Sequence, residues 1–233
     1  DGTALGAAYY CWHNHLKRKE RFVMKHSFWG PSYNEDEILY EINKKNLKYK
    51  KFDNTNELTK HAAKVISESN VIGWYQGRSE WGSRALGNRS ILANPAHKNM
   101  KDIINSKIKK RESFRPFAPS VLNDDVTKFF ECDIRSEFMN HIVKFKKEWC
   151  KVFPSVCHVD DTARLQTVNK DNNPLFYQLI SELKKITGYG IILNTSFNEN
   201  EPIVDTPEQA INCFLRTDMD ILFLEKFMIC KDS

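Results

Sequence analysis

Residues 76–90 read QGRSEWGSRALGNRS, three glycines and three arginines in fifteen residues, directly behind the apolar run VIGWY at 71–75. The run has the length and composition of a buried strand. A glycine-broken loop at the end of such a strand is where α/β proteins gather ligands. Gly77, Gly82 and Gly87 permit a positive φ and let a ligand approach the main chain. Arg78, Arg84 and Arg89 each carry a planar fork of donors that stays protonated and matches the paired oxygens of phosphate or carboxylate. For one arginine, a solvated turn with a carboxylate partner is the plainer explanation. Three in one loop point to a small polyanionic ligand. The loop is neither a P-loop, since G-x-x-x-x-G-K-[ST] is missing, nor a dinucleotide fingerprint.

A second basic run follows at Lys107, Lys109, Lys110, Arg111 and Arg115 and leads into FRPFAP at 114–119. There Phe114 and Phe117 are expected to anchor the segment while Pro116 and Pro119 restrict it, so that Arg115 is held ready for an anion. Further along, Arg164 and Gln166 alternate on a predicted strand and fall on one side of it. A short buried strand at 191–193 delivers Asn194, Thr195 and Ser196, with Phe197 and Asn198, at its carboxyl end. These amides and hydroxyls suit a nucleobase, ribose or phosphate, or else a turn that satisfies its own backbone.

Around these segments the periodicity alternates between helix and strand. Asn34 caps a helix whose Ile38, Leu39 and Ile42 share a face, and Asn54 with Glu57 opens another carrying Leu58, Ala62, Val65 and Ile66. Met100, Ile103, Ile104 and Ile108 form a third stripe. A short helix at 124–130 and a strand at 138–145 follow. Asn173 then starts a helix through Leu175, Leu179, Ile180 and Leu183 that stops near Gly188. Thr206, Pro207 and Gln209 open the last helix, ahead of strands at 220–224 and 227–230. The aromatic turn at 28–33 is expected to pack on the body, and the five lysines between 44 and 51 to form a solvated face.

Composition excludes several classes. With 233 residues, 41% hydrophobic and 28% charged, the chain is long enough for a real core and ordinary for a globular protein. No apolar run reaches the length of a membrane span and no signal peptide is evident, so a cytoplasmic protein is expected. A net charge of +5 suits an anionic substrate without calling for nucleic acid. The six cysteines lack any C-x-x-C pair and read as free thiols in a reducing compartment, not as a zinc site or redox motif.

The strings QGRSEWGSRALGNRSILANP and KIKKRESFRPFAPSVL resemble the carboxy-terminal domain of the antibiotic and nodulation O-carbamoyltransferases, and RLQTV at 164–168, NTSFN at 194–198 and EPIV at 201–204 agree with it. The resemblance implies a YrdC-like α/β fold, an open, twisted, mixed sheet with helices on its faces. It implies a division into 1–20 as the tail of an amino-terminal, actin-like carbamoyl-transfer domain, 21–54 as connector, and 55–233 as the domain that forms carbamoyl adenylate. The start at Asp1, without methionine, reads as a cut through a larger protein. The implied reaction joins carbamoyl phosphate and ATP, with Mg²⁺, for O-carbamoylation of a sugar, antibiotic or glycolipid hydroxyl. The actin-like domain would be the partner and would hold a transfer-site metal of the iron type.

On that resemblance Arg115, Arg164 and His158 are candidate catalytic residues. Arg78, Arg84, Arg89, Gln166, Asn194, Thr195 and Ser196 are candidates for binding ATP and substrate. Glu80 is a candidate Mg²⁺ ligand, and Asp1 a candidate ligand of the transfer-site metal. The family reads H-V-D-G-[ST]-AR where this chain has HVDDTAR at 158–164, so Asp161 replaces a glycine; a different turn and an extra carboxylate near the anion site are expected. Two alternatives stand beside this reading, a threonylcarbamoyl-adenylate-type synthase and an RNA-binding YrdC-like module.

Overall fold

A computed structural model describes residues 2–231. Its elements run α1 (Thr3–Tyr10), α2 (Glu35–Lys44), β1 (Tyr49–Lys51), α3 (Thr55–Ser67), β2 (Ile72–Tyr75), β3 (Arg89–Ala93), α4 (Met100–Ile103), β4 (Ala118–Leu122) and α5 (Val126–Phe129). They continue β5 (His141–Lys144), α6 (Lys147–Val152), β6 (Thr162–Val168), α7 (Pro174–Thr187), β7 (Ile191–Ser196), α8 (Pro207–Arg216), β8 (Ile221–Leu224) and β9 (Phe227–Cys230). Helices α1 and α4 each run on into one wider π-helical turn, over Cys11–His15 and Ile104–Ile108.

One mixed sheet of nine strands, in the order β1-β9-β8-β2-β3-β7-β4-β6-β5, carries the fold. The pairs β2–β8 and β4–β6 are parallel and the others antiparallel. Because side chains alternate across a strand, the central strands feed two cores. Ile72, Trp74, Leu92, Ile192 and Phe223 pack beneath α3 and α7, through Leu58, Ala62, Ile66, Phe176, Leu179 and Leu183. Tyr75, Ile91, Leu193, Leu222 and Leu224 face the other way, against Ile38 and Ile42 of α2, Ile211 and Phe214 of α8, and Ile104 and Ile108. Burial on both faces makes the central strands continuous apolar runs, which is why VIGWY and IIL were readable as strands.

The caps form as their sequences predict. Asn34 accepts from the Glu37 amide at 3.0 Å while the Glu37 carboxylate accepts from the Asn34 amide at 2.7 Å. Asn54, Asn173 and Thr206 each accept from the amide three residues on. Other expectations need correction. The lysine run is not only a solvated face, since Tyr49–Lys51 forms the edge strand β1 against β9; lysines on an outer strand discourage further pairing. The strand expected at 138–145 is shorter, His141–Lys144. Cys150 and Cys157 are bonded to each other, whereas four cysteines are free. The turn after α6, in which the Phe153 carbonyl accepts from the amides of both Val156 and Cys157, brings their Cα atoms to 5.4 Å, within disulfide reach.

No helix among the described residues is long and apolar enough to cross a membrane. Helix α1 has no buried residue. Asp1 lies outside the described residues.

Candidate functional site

The loop between β2 and β3 is built around Glu80. Its Oε1 accepts from the amides of Leu86 (2.6 Å), Asn88 (2.9 Å) and Arg89 (3.3 Å), which folds RALGNR back on itself. Burial raises the Glu80 pKa, and Oε2 is buried without a partner. Gly87 sits at φ 112° where an added Cβ would lie 2.3 Å from the Phe176 ring, so only glycine fits.

Within this loop the three arginines separate. Arg89 is fully buried, its guanidinium 3.5 Å from the Tyr75 ring centroid, and donates to the carbonyls of Gln76, Gly77 and Asn88 at 2.8 to 3.1 Å and to Pro31 at 3.5 Å. Arg78 donates to the carbonyls of Trp29 (2.7 Å) and Gly30 (2.8 Å). These two hold the loop to the 28–31 segment. Arg84 alone of the three makes no such backbone bonds, and it is exposed.

Gln166 and Asn194 also brace the loop. Asn194 Nδ2 lies 2.9 Å from Gln166 Oε1, 3.0 Å from Ser120 Oγ and 3.2 Å from the Ala85 carbonyl, and Gln166 Nε2 donates to the Leu86 carbonyl at 2.8 Å. Both amides are buried. Their position fixes the backbone on either side of Ala85–Leu86, and hence the root of Arg84. Thr195, half-buried in β7 opposite Ile91, has no side-chain hydrogen bond of this kind.

The cationic centre is formed by residues from three segments. Lys109 is buried and its Nζ meets the Ser196 carbonyl (2.6 Å) and Oγ (3.3 Å) and the Asn198 carbonyl (2.8 Å) and Oδ1 (2.6 Å). An ammonium has three protons for these four acceptors. Burial, with Arg111 as the next contributor, pushes its pKa down to about 7. Arg111 stacks over Phe117 at 5.0 Å and donates to Asn105 Oδ1 at 2.8 Å. Asn105 in turn holds the carbonyls of Ser113 and Arg115. Arg111 is shifted down by burial and by the fields of Arg115 and Arg164; Arg164 is shifted down by burial and by Arg84. Arg164 Nε is buried with no partner. Arg115 is exposed and pairs with Glu112 at 3.2 Å. Phe117 anchors this segment; Phe114, 73% exposed, does not.

Five cations from separate parts of the sequence therefore stand in a chain of neighbours, Lys109 to Arg111, Arg111 to Arg115 and Arg164, and Arg164 to Arg84, and their mutual repulsion is what an anion relieves. Lys109 and Arg111 are read in the sequence only as members of the basic run ahead of FRPF, not as site candidates. Asp205 was also missed. Its Oδ1, like Glu80 Oε2 and Arg89 Nε, is buried without a partner. All three residues line a cavity of about 550 Å³ together with Trp81, Asn198 and Pro202.

His158 is half-buried, with Nδ1 2.9 Å from Thr162 Oγ1. Burial lowers its pKa, Asp160 opposes this, and Arg164 and Lys101 add to it. Asp161 takes φ 60°, so the turn keeps the left-handed conformation that a glycine would adopt. Its carboxylate is grouped with Cys150 and Cys157, a placement that corrects the expectation of a carboxylate at the anion site.

A sequence profile described as the carbamoyltransferase C-terminus matches residues 63–231. Nodulation protein NolNO of Sinorhizobium fredii is 43% identical over 99% of this chain and 34% of its own length. The 3'-hydroxymethylcephem-O-carbamoyltransferase of Streptomyces clavuligerus is 38% identical over 60% of this chain and 27% of its own length. E. coli YciO overlaps 78% of this chain and 92% of its own at a TM-score of 0.49 and 14% identity. The chain spans less than half the length of the curated relatives it matches. On the profile match and on identity over nearly its whole length, the chain belongs to the carbamoyltransferase C-terminus family.

Proposed function

We propose that this chain is the part of an O-carbamoyltransferase that converts carbamoyl phosphate and ATP into carbamoyl adenylate. The observation that carries the reading is a run of neighbouring cations: Lys109, held by Ser196 and Asn198, lies in the field of Arg111, Arg111 in that of Arg115 and Arg164, and Arg164, whose Nε is unpartnered, in that of Arg84. The net conversion consumes one water and releases phosphate and pyrophosphate. Phosphoryl chemistry of this kind rests on positioning and charge neutralisation more than on a protein nucleophile. Arg164 and Arg111 grip the phosphate oxygens that carry developing charge, and Lys109 regains its full charge as the anion arrives. Arg84, on a loop braced by Glu80, Gln166 and Asn194, closes the site from the outer side.

The nucleotide occupies the adjoining cavity, with Trp81 as its aromatic wall. Mg²⁺ fits this site, because one or two carboxylates plus substrate phosphates are its usual ligands, and Glu80 Oε2 and Asp205 Oδ1 are the unpartnered buried carboxylate oxygens there. When bound, the ion neutralises the polyphosphate. The acceptor hydroxyl would be that of a separate molecule, and an actin-like domain would deliver the carbamoyl group to it.

The test is release of pyrophosphate by the protein given ATP and Mg²⁺, with and without carbamoyl phosphate. Release that requires carbamoyl phosphate and disappears in Arg164→Ala supports the reading. Equal release without carbamoyl phosphate refutes it.

A further inference from the structure

A second cluster of chemically active side chains lies outside the cationic centre. Cys150 near the end of α6, Cys157 beyond the following turn and Asp161 place their two Sγ atoms and a carboxylate oxygen all within 4.8 Å of one another. It is the only group of three or more such ligand atoms among the described residues. Asp161 holds φ 60° there, a conformation that favours glycine and that aspartate tolerates better than most residues. A carboxylate is thus kept at a position where the backbone alone would prefer none.

His158 lines the same cavity, of about 460 Å³, as Cys150, Cys157 and Asp161. The hydrogen bonds around it define its tautomer. Thr162 donates its single hydroxyl proton to Asp160 Oδ1 at 2.6 Å, so the 2.9 Å contact between Thr162 Oγ1 and His158 Nδ1 requires the proton on Nδ1. In the neutral ring the lone pair then lies on Nε2. A hydrogen-bonded Nδ1–H with a free Nε2 is the arrangement metal-binding histidines use.

The geometry points to a zinc site in the reduced protein, with Cys150 Sγ, Cys157 Sγ and the Asp161 carboxylate as ligands; the fourth position would be taken by water or by His158 Nε2, which lines the cavity but would have to move in, since His158 lies outside the 4.8 Å group. Two thiolates with a carboxylate suit Zn²⁺ and not Mg²⁺ or Ca²⁺, which take oxygen. Disulfide and metal site are alternatives. Reduction of the Cys150–Cys157 bond by a dithiol delivers two electrons and two protons, giving two thiols and one oxidised dithiol. Zn²⁺ then displaces both thiol protons. Oxidation of the same pair removes two ligands and releases the ion.

The experiment reduces the full chain with a phosphine that does not bind zinc, then titrates Zn²⁺ against a chromophoric chelator. The reduced protein is expected to take up about one Zn²⁺ per chain at this site. The double variant Cys150→Ser, Cys157→Ser, which leaves the other four cysteines in place, should bind at least ~100-fold more weakly, and Asp161→Gly, which the φ of 60° accommodates, at least ~10-fold more weakly. The oxidised protein should match the double variant. With Co²⁺ in place of Zn²⁺, the reduced wild type should show thiolate-to-cobalt charge-transfer absorption that the double variant lacks. Zinc binding by the reduced wild type no tighter than by the double variant overturns the proposal. So does an Asp161→Gly protein of unchanged affinity.

Discussion

Replacing Lys109 by methionine removes a buried titrating group, and the consequence is a change in how stability depends on pH. In the folded chain the Lys109 pKa lies at about 7, against 10.5 for an exposed lysine. The unfolded chain therefore binds the proton more tightly. Stability rises with pH wherever the unfolded state holds more protons, so the Lys109 contribution is most unfavourable below about pH 7 and is relieved as pH climbs towards 10.5. At 1.36 kcal/mol per pKa unit, the full cost at low pH is about 5 kcal/mol, and about 2 kcal/mol of it is recovered between about pH 7 and pH 9. The assay is urea unfolding of wild type and Lys109→Met at both pH values in a sulfate-free buffer. The difference in unfolding free energy between the two proteins should move by about 2 kcal/mol in favour of wild type at the higher pH. Parallel profiles would refute the reasoning, because Lys109 would then titrate alike in both states. Saturating sulfate should flatten the wild-type slope, since an anion beside Lys109 restores its ordinary pKa.

Four further outcomes follow from the same contacts. Sulfate, which does not itself titrate in this range, should bind more weakly above about pH 7 as Lys109 loses its proton, and calorimetry in two buffers should show proton uptake on binding. Arg164→Ala should change stability by less than ~1 kcal/mol while lowering sulfate affinity about tenfold or more, because its buried Nε has no protein partner to lose. Arg89→Met should do the reverse, destabilising by about 3 kcal/mol or more by orphaning the carbonyls it holds; chemical denaturation separates the two. Gly87→Ala should cost about 2–4 kcal/mol from the positive φ and the clash with Phe176, read as a lowered urea midpoint.

The elements most legible in the sequence were those whose signal is local. Capping residues declare themselves within four positions, and Asn34, Asn54, Asn173 and Thr206 all cap helices. Strands buried on both faces are apolar throughout, and 71–75 and 191–193 were readable for that reason. Strand β1 was not, because an edge strand made of Tyr49, Lys50 and Lys51 lacks any apolar alternation. The site was half legible. Arginine-rich loops indicate anion binding, yet nothing local distinguishes Arg84, which makes no backbone bonds of the kind its neighbours make, from Arg78 and Arg89, whose donors go to carbonyls up to 58 residues away. Lys109 owes its character to burial and to Ser196 and Asn198, 87 and 89 residues further on. The Cys150–Cys157 bond spans seven positions, and it depends on a turn geometry that cysteine spacing does not encode.

The central claim is that the cationic centre makes carbamoyl adenylate, and the most direct measurement is to look for that molecule. The protein, incubated with ATP, Mg²⁺ and carbamoyl phosphate without an acceptor and then rapidly quenched, should yield by mass spectrometry a species of the mass of carbamoyl adenylate. Its amount should match the pyrophosphate released and it should be absent with Arg164→Ala. Turnover of both substrates with transfer to an added acceptor, but with no adenylate in the quenched mixture and no pyrophosphate released, would contradict the account.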